Sequence, residues 1–344
     1  MYFIGVDHHK QVSVMTVLDE DGRELRNERV VNLRSHVLRF LEPYRPFRAV
    51  LEAGRASYVM ADLLRELGGE VKLANPLQVK AIAHARIKTD KRDSRTLAQL
   101  LRADLIPEVY QREEWNRRAQ RVMRLRAYWV GKQTEVRNKV RALLAQQREE
   151  VRLEVEKHGD GLFRAKGLEF LSGLALEGQD QLVLDDLLQG HREIRAHVQV
   201  TDGLVRALYG ELEEAARIDT IPGFARTLSV LVAVEIADIR RFGRPADLHS
   251  YAGVIPSTYA SGNRTVHGPI TKQGSAWLRW AVVEAVTPAI KKDLALRGLY
   301  QRLARRKGAN VAKIAVARRL LTIIYRLLSE RRNYIPGMMK QSAA

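Results

Sequence analysis

The sequence contains no cysteine. That excludes disulfide bridges and thiolate metal sites, and it suits a reducing compartment, the cytoplasm. No run approaches the roughly 18 consecutive apolar residues of a membrane span. No cleavable leader is expected, because Met1-Tyr2-Phe3 leads straight into an apolar run that ends on an acid. Negative charge is in deficit: 40 acids stand against 58 lysines and arginines, a net charge of +18. Such an excess points to a polyanionic partner, of which nucleic acid is the commonest. With 344 residues, 46% of them hydrophobic, two domains or one elaborated domain are expected.

The chain is organised around Phe3-Ile4-Gly5-Val6-Asp7, read as a central strand that presents one carboxylate. Val12–Leu18 reads as a second strand, and Asp-Gly at 21–22 turns it into a third over Arg23–Val31. A helix around His36–Leu41 follows, then a buried strand at Ala49–Leu51 with Glu52 at its end. Ala56–Leu67 has helical spacing and stops at Gly68-Gly69. Glu70–Ala74 is another strand, closed by Asn75-Pro76, and Leu77–Arg86 another helix. This order predicts a mixed sheet with helices on its faces, with its site at the carboxyl ends of the strands.

Thr89 is placed to cap a helix whose first turn carries Asp90 and Asp93 on one face. Taken singly, either acid only suits a helix N-terminus. Together with Asp7 and Glu52 they make a set of hard oxygen ligands for divalent cations, Mg²⁺ with Mn²⁺ as a substitute. Two such ions serve phosphoryl transfer by clamping the attacking and leaving oxygens. Lys88, Lys91 and Arg92 surround the set and would attract a phosphate backbone. His8 and His9 adjoin Asp7, but hard-cation sites rarely use imidazole, so both are expected to face solvent or to support the ligands.

Asp7, Glu52 and the run Lys88-Thr89-Asp90-Lys91-Arg92-Asp93 resemble the DEDD signature of a RuvC-like, RNase H-fold domain. More narrowly they resemble the DEDD transposases of the bridge-RNA-guided insertion-sequence recombinases, relatives of the pilin-gene invertases. A strand ending on Asp, a Glu-Ala-Gly turn, an Asn-Pro after a strand and a Lys-Thr-Asp-x-x-Asp run are all present. Ser94 departs from the small alanine-like residue that often follows the last acid. The resemblance implies a DNA recombinase with DNA donor and target, a noncoding guide RNA, and a homo-oligomeric assembly, a dimer or tetramer.

The middle of the chain is basic and helical. From Glu113 to about Glu156 there is no proline, and one long helix or two are expected. Arg117, Arg118, Arg121, Arg124, Arg126, Lys132, Arg137, Lys139 and Arg141 bias it to one sign, which suits phosphate contacts. Tyr128 and Trp129 are expected to be buried in a helix pair or to stack on bases. Beyond a break at His158–Gly161, Leu184, Leu187, His191, Ile194, Val198, Thr201, Val205, Leu208, Leu212 and Ala215 step by three and four. This is a heptad seam, for an antiparallel helix pair, a coiled coil between subunits or an ordinary core helix.

Near the C-terminus, Ile221-Pro222-Gly223-Phe224 before an apolar helix has the look of a helix-hairpin-helix element. The Gly/Pro/Ser-rich stretch from Gly253 to Arg264 reads as a loop. Gly-x-x-Pro, Ser-Gly and Ile-x-Lys-x-Gly there are similar to the catalytic loop of the same recombinases. That resemblance assigns the nucleophile to Ser261, with Ser257 and Ser275 as fallbacks, and phosphate contacts to Arg264, Lys272 and Arg279. It further implies that the two halves of the site come from different subunits.

The fold expected is α/β plus α: an RNase H/RuvC-like mixed sheet over 1–110, a basic helical, RNA-binding region over 111–180, a coiled coil or long helix over 181–218, and a mainly α transposase domain over 219–335. Two other functions compete with recombination. A metal nuclease or junction resolvase needs the four acids but no serine, and a noncatalytic assembly factor needs neither. An actin-like ATPase would place a glycine-rich phosphate loop after Asp7, where His8-His9-Lys10 stands.

Overall fold

The computed structural model describes residues 1–54, 56–83, 89–261 and 264–336. It divides into two compact units, Met1–Gln111 and Arg112–Ala344.

The first unit is a five-stranded mixed sheet between two layers of helices. Its strands are β1 (Tyr2–His8), β2 (Val12–Leu18), β3 (Glu24–Val31), β4 (Phe47–Glu52) and β5 (Glu70–Ala74), in the spatial order β3-β2-β1-β4-β5. β1 runs antiparallel to β2 and parallel to β4, and β4 runs parallel to β5. The parallel half is covered on both faces, so β4 reads Phe-Arg-Ala-Val-Leu and is nearly continuously buried. One face packs on helices α1 (Arg34–Leu41) and α2 (Ser57–Glu66), through Ile4, Val6, Ala49 and Leu51 against Val37, Phe40, Met60 and Leu64. The other carries α3 (Pro76–Ile82) and α4 (Asp90–Arg102), with Val50 and Ala74 against Val79, Leu97, Leu100 and Leu101. This is the expected mixed sheet with helices on both faces.

The second unit begins with the long helix α5 (Glu114–Leu144), followed by α6 (Glu149–His158) and α7 (Ala165–Gly173). Helix α8 (Gln179–Glu211) returns antiparallel to α5. Arg126 Nε donates to Asp202 at 2.6 Å, Arg137 Nε to His191 Nε2 at 3.3 Å and Gln147 Nε2 to Asp180 at 2.8 Å, in opposite order along the two helices. The heptad seam is therefore used within the chain: Leu184, His191, Thr201 and Val205 are buried along α8 while the residues between them are mostly exposed. Trp129 stacks flat on His197 at 4.1 Å between centroids, whereas Tyr128 stays exposed.

The remainder packs α9 (Glu213–Asp219), α10 (Arg226–Ile236), α11 (Pro245–Ala252), α12 (Ala276–Lys292), α13 (Leu294–Lys307) and α14 (Ala309–Ser329) around one apolar core. Helix α10 is buried on nearly every side, which is why its sequence is apolar without period. The turn between α9 and α10 holds Gly223 at φ +98°, and a Cβ there would meet Ala285 O at 2.3 Å. The glycine thus lets the turn lie against the α12 backbone.

One expectation is corrected here. The stretch from Gly253 to Arg264, read as a loop, is largely a β-hairpin: β6 (Pro256–Ser261) pairs antiparallel with β7 (Arg264–Ile270). The β-branched and aromatic Thr258, Tyr259, Thr265 and Val266 suit a two-stranded ribbon, and Gly-Asn between such runs is a hairpin signal hidden by the glycine and serine content.

Candidate active site

In the first unit the site is built by a close approach. Ideal Cβ geometry at Gly5 would put a carbon 1.9 Å from Ser94 O and 2.5 Å from Ala98 N, so only glycine lets α4 lie directly on β1. Asp7 is two residues further along β1 and so faces the same side. Val50 packs against α4 on that side too, and Glu52 is two residues beyond it. Val6 pairs with Leu51 in the parallel register, so Asp7 and Glu52 follow at adjacent strand ends. Thr89 caps α4, its hydroxyl accepting from Arg92 N at 3.4 Å, and puts Asp90 and Asp93 in the first turn. Buried Ser94 ties that turn to the sheet: its Oγ lies 2.8 Å from Thr16 Oγ1, and Asn27 Nδ2 donates to both Thr16 Oγ1 at 2.7 Å and Lys91 O at 3.2 Å.

Asp7 and Asp90 converge. His9 Nε2 stands between them, 3.4 Å from Asp7 Oδ2 and 3.5 Å from Asp90 Oδ2, and the three groups offer ligand atoms within 4.8 Å of one another. Glu52 and Asp93 together line an adjoining cleft of about 310 Å³, with Lys80, Arg92, Thr96 and the apolar Leu77, Val79 and Leu97. The sequence reading kept both histidines off the ligands. His8 is a supporting residue, its Nδ1 2.9 Å from Ser13 Oγ, and burial followed by the neighbouring His9 pushes its pKa down. His9 is the residue that the sequence underrated, since nothing local shows that its ring reaches α4. The donor set fits a hard divalent cation: carboxylate oxygens predominate, and an imidazole beside two of them stands where positive charge is wanted. Lys91 and Arg92 are exposed at the same helix end, and Lys88 lies outside the described residues.

In the second unit Ser261 is the last residue of β6, paired with Arg264 at the start of β7. The side chains of both lie outside what is described. The base of this hairpin is fixed. Thr271 N donates to Ile255 O at 2.9 Å, Lys272 N to Gly253 O at 3.1 Å and Ser275 N to Tyr251 O at 2.7 Å. Lys272 is exposed and holds φ +53°, while Arg279 Nη1 donates to Ala252 O at 2.9 Å and so pins α11 to α12. Ser257 lies over Gly268, where a Cβ would meet its Oγ at 2.5 Å. Ser275 caps α12, accepting from Leu278 N at 3.1 Å and donating to Glu235 Oε2 at 2.7 Å.

Glu235 is a buried carboxylate that no local pattern singles out. Gln120, Arg124 and Ser275 all donate to it, and Arg112 Nη2 lies 3.9 Å away. Arg124 is thereby held half-buried, 4.2 Å over the Trp277 ring. Others of the basic set on α5 also have partners. Arg118 pairs with Glu114, Lys132 and Lys139 both pair with Glu135, and Arg137 packs over Phe163 and against His191. Arg121 is exposed and Arg117 half-buried.

Residues 4–148 match a transposase family model, the DEDD transposase domain of IS110, and residues 215–301 match the transposase IS116/IS110/IS902 family. Both parts of the chain are thus similar to IS110/IS116-type transposases. A probable family 20 transposase of Pseudomonas aeruginosa is 26% identical over 97% of this chain and 98% of its own length. The transposase for insertion sequence element IS1111A of Coxiella burnetii is 24% identical, with 97% and 91% covered. A putative transposase, y4qE, of Sinorhizobium fredii is 27% identical over 96% of this chain and 82% of its own. The matching families and relatives are all named transposases, enzymes that cut and join DNA, and the DEDD match suggests divalent metal. No described helix is long and apolar enough to cross a membrane.

Proposed function

We propose that this transposase moves its element as an RNA-guided DNA recombinase, through a covalent phosphoserine intermediate formed by Ser261. The observation that carries the reading is the convergence of Asp7 and Asp90 at His9, beside the cleft that Glu52 and Asp93 share. Asp7, Glu52, Asp90 and Asp93 would hold two Mg²⁺ ions, for which Mn²⁺ could substitute. Held by these carboxylates, such ions would supply neutralisation of charge on a scissile phosphate and would favour loss of a proton from an attacking hydroxyl.

In the step itself, Ser261 Oγ forms a bond to phosphorus and gives up its proton. The bond from phosphorus to the leaving deoxyribose oxygen breaks, and that oxygen takes up a proton. The ester energy is kept in the serine link, and a DNA hydroxyl recovers it on rejoining. A free serine is a weak nucleophile, so the carboxylate site, furnished by another subunit of a dimer or tetramer, activates it. A noncoding RNA pairs with donor and target DNA, and the basic helices hold it by its phosphates and shape.

The test uses purified protein, element DNA, the flanking RNA and Mg²⁺, analysed on denaturing gels. Wild type gives a protein–DNA adduct and joined products, and Ser261→Ala gives neither. Joined products from Ser261→Ala overturn the serine assignment. Cut DNA without any adduct in the wild type favours hydrolysis by water, the nuclease reading.

A further inference from the structure

The positive charge is divided unequally. Residues 1–111 hold 18 basic and 15 acidic residues, and residues 112–344 hold 40 and 25. Within the second unit, the 36 residues from Leu294 to Ser329 contain nine lysines and arginines and no acid. The flanking acids are already engaged. Asp293 is buried, caps α13 by accepting from Leu296 N at 2.9 Å and binds Tyr334 OH, and Glu330 pairs with Arg332.

We propose that the end of α13 and the start of α14 form a docking surface for duplex DNA. Arg302, Arg305 and Arg306 are spaced by three and four, so they share one face of α13, and Lys307 follows. All four are exposed, and among the described residues none of them has a carboxylate partner. This separates them from Arg118, Arg124, Arg126, Lys132 and Lys139 of α5, each of which is answered by an acid. The helix dipole favours cations in the last turn of α13. It accounts neither for Arg302, one turn earlier, nor for the lack of any acid through all of α14. Like charges three and four apart repel, and a row of phosphates removes that repulsion. The start of α14 adds donors beside them: no side chain caps it, and residues 308–311 are exposed. DNA is named as the occupant because the chain is a transposase, and only that identity is borrowed from the reading above.

The experiment measures binding of the full chain to a fluorescent duplex bearing an element end, over a salt series without Mg²⁺. The triple variant Arg302→Gln, Arg305→Gln, Arg306→Gln should bind at least about tenfold more weakly at low salt. Its slope of log K against log salt should be smaller by up to about 2.7, for three phosphates at about 0.9 each. The matching triple arginine-to-lysine variant should bind like wild type, and circular dichroism melting checks that each variant folds. If the triple variant is unstable, the single charge reversal Arg302→Glu should still weaken binding. Unchanged affinity and slope in a folded variant, or a loss seen with RNA alone, overturns the surface. A wild-type chain that binds no duplex, either alone or with the flanking RNA added, overturns the transposase reading as well.

Discussion

Gly5 and Ser94 are in backbone contact: the place where a Cβ would stand on Gly5 is filled by the carbonyl oxygen of Ser94. The contact seats the α4 helix on the β1 strand, and so sets where Asp90 and Asp93 stand relative to Asp7. Gly5→Ala should therefore push α4 outward. The overpacking should cost about 1–3 kcal/mol in urea unfolding, and Mn²⁺ binding should weaken with it. An alanine variant as stable as wild type would show that α4 has slack at this point.

The carboxylate set should report metal directly. Mn²⁺ should raise the melting temperature of the wild-type chain, as any ligand of the folded state does. Asp7→Asn and Asp90→Asn should each abolish most of that shift. Asp7→Ala should also end strand exchange, and so should EDTA, reversibly on restoring Mg²⁺. Retention of the Mn²⁺ shift in both asparagine variants would place the ion elsewhere.

The serines of the second unit should separate by role. Ser257→Ala should leave adduct formation intact. Ser275→Ala removes a helix cap and a donor to buried Glu235, so it should cost about 0.5–2 kcal/mol of stability while still giving adduct. Glu235→Ala leaves half-buried Arg124 and nearly buried Arg112 without that carboxylate and should lower the melting temperature more than Ser275→Ala does. An adduct lost with Ser257→Ala but kept with Ser261→Ala would exchange the two assignments.

Acid should unfold the second unit through two histidines. Burial first, then Arg137 and its arginine neighbours, holds His191 down to about 4, and burial followed by Arg318 does the same to His249. Both lie below the ordinary imidazole value, near 6.5. Between those limits the unfolded chain binds protons that the folded chain refuses, so stability rises with pH across the window and levels off above it. The melting temperature should fall from pH 7 to pH 4.5, and by less in a His191→Gln, His249→Gln variant. Equal losses in both proteins would mean that neither imidazole is kept neutral by the fold.

Much of this was legible along the chain. Asp7 and Glu52 announced themselves as acids ending apolar strands, and Thr89 as a cap three residues before Arg92, because those signals span only a few residues. The seam on α8 showed as a heptad because each buried position recurs within two turns. The Ser261 segment was harder. Its glycine and serine content reads as a loop, whereas the β6–β7 ribbon rests on pairing between residues that composition does not weigh.

The strand-and-helix order of the first unit, the four acids and the excess of positive charge could be read from residues close together in the chain, since periodicity and composition are local and additive. Only the tertiary structure decided that His9 enters between Asp7 and Asp90, and that Glu235 takes Arg124 out of the basic face. Among the described residues, Arg302, Arg305 and Arg306 are left without carboxylates. The physical reason is distance along the chain: Arg124 and Glu235 are 111 residues apart, and no local pattern records which charges folding will bring together.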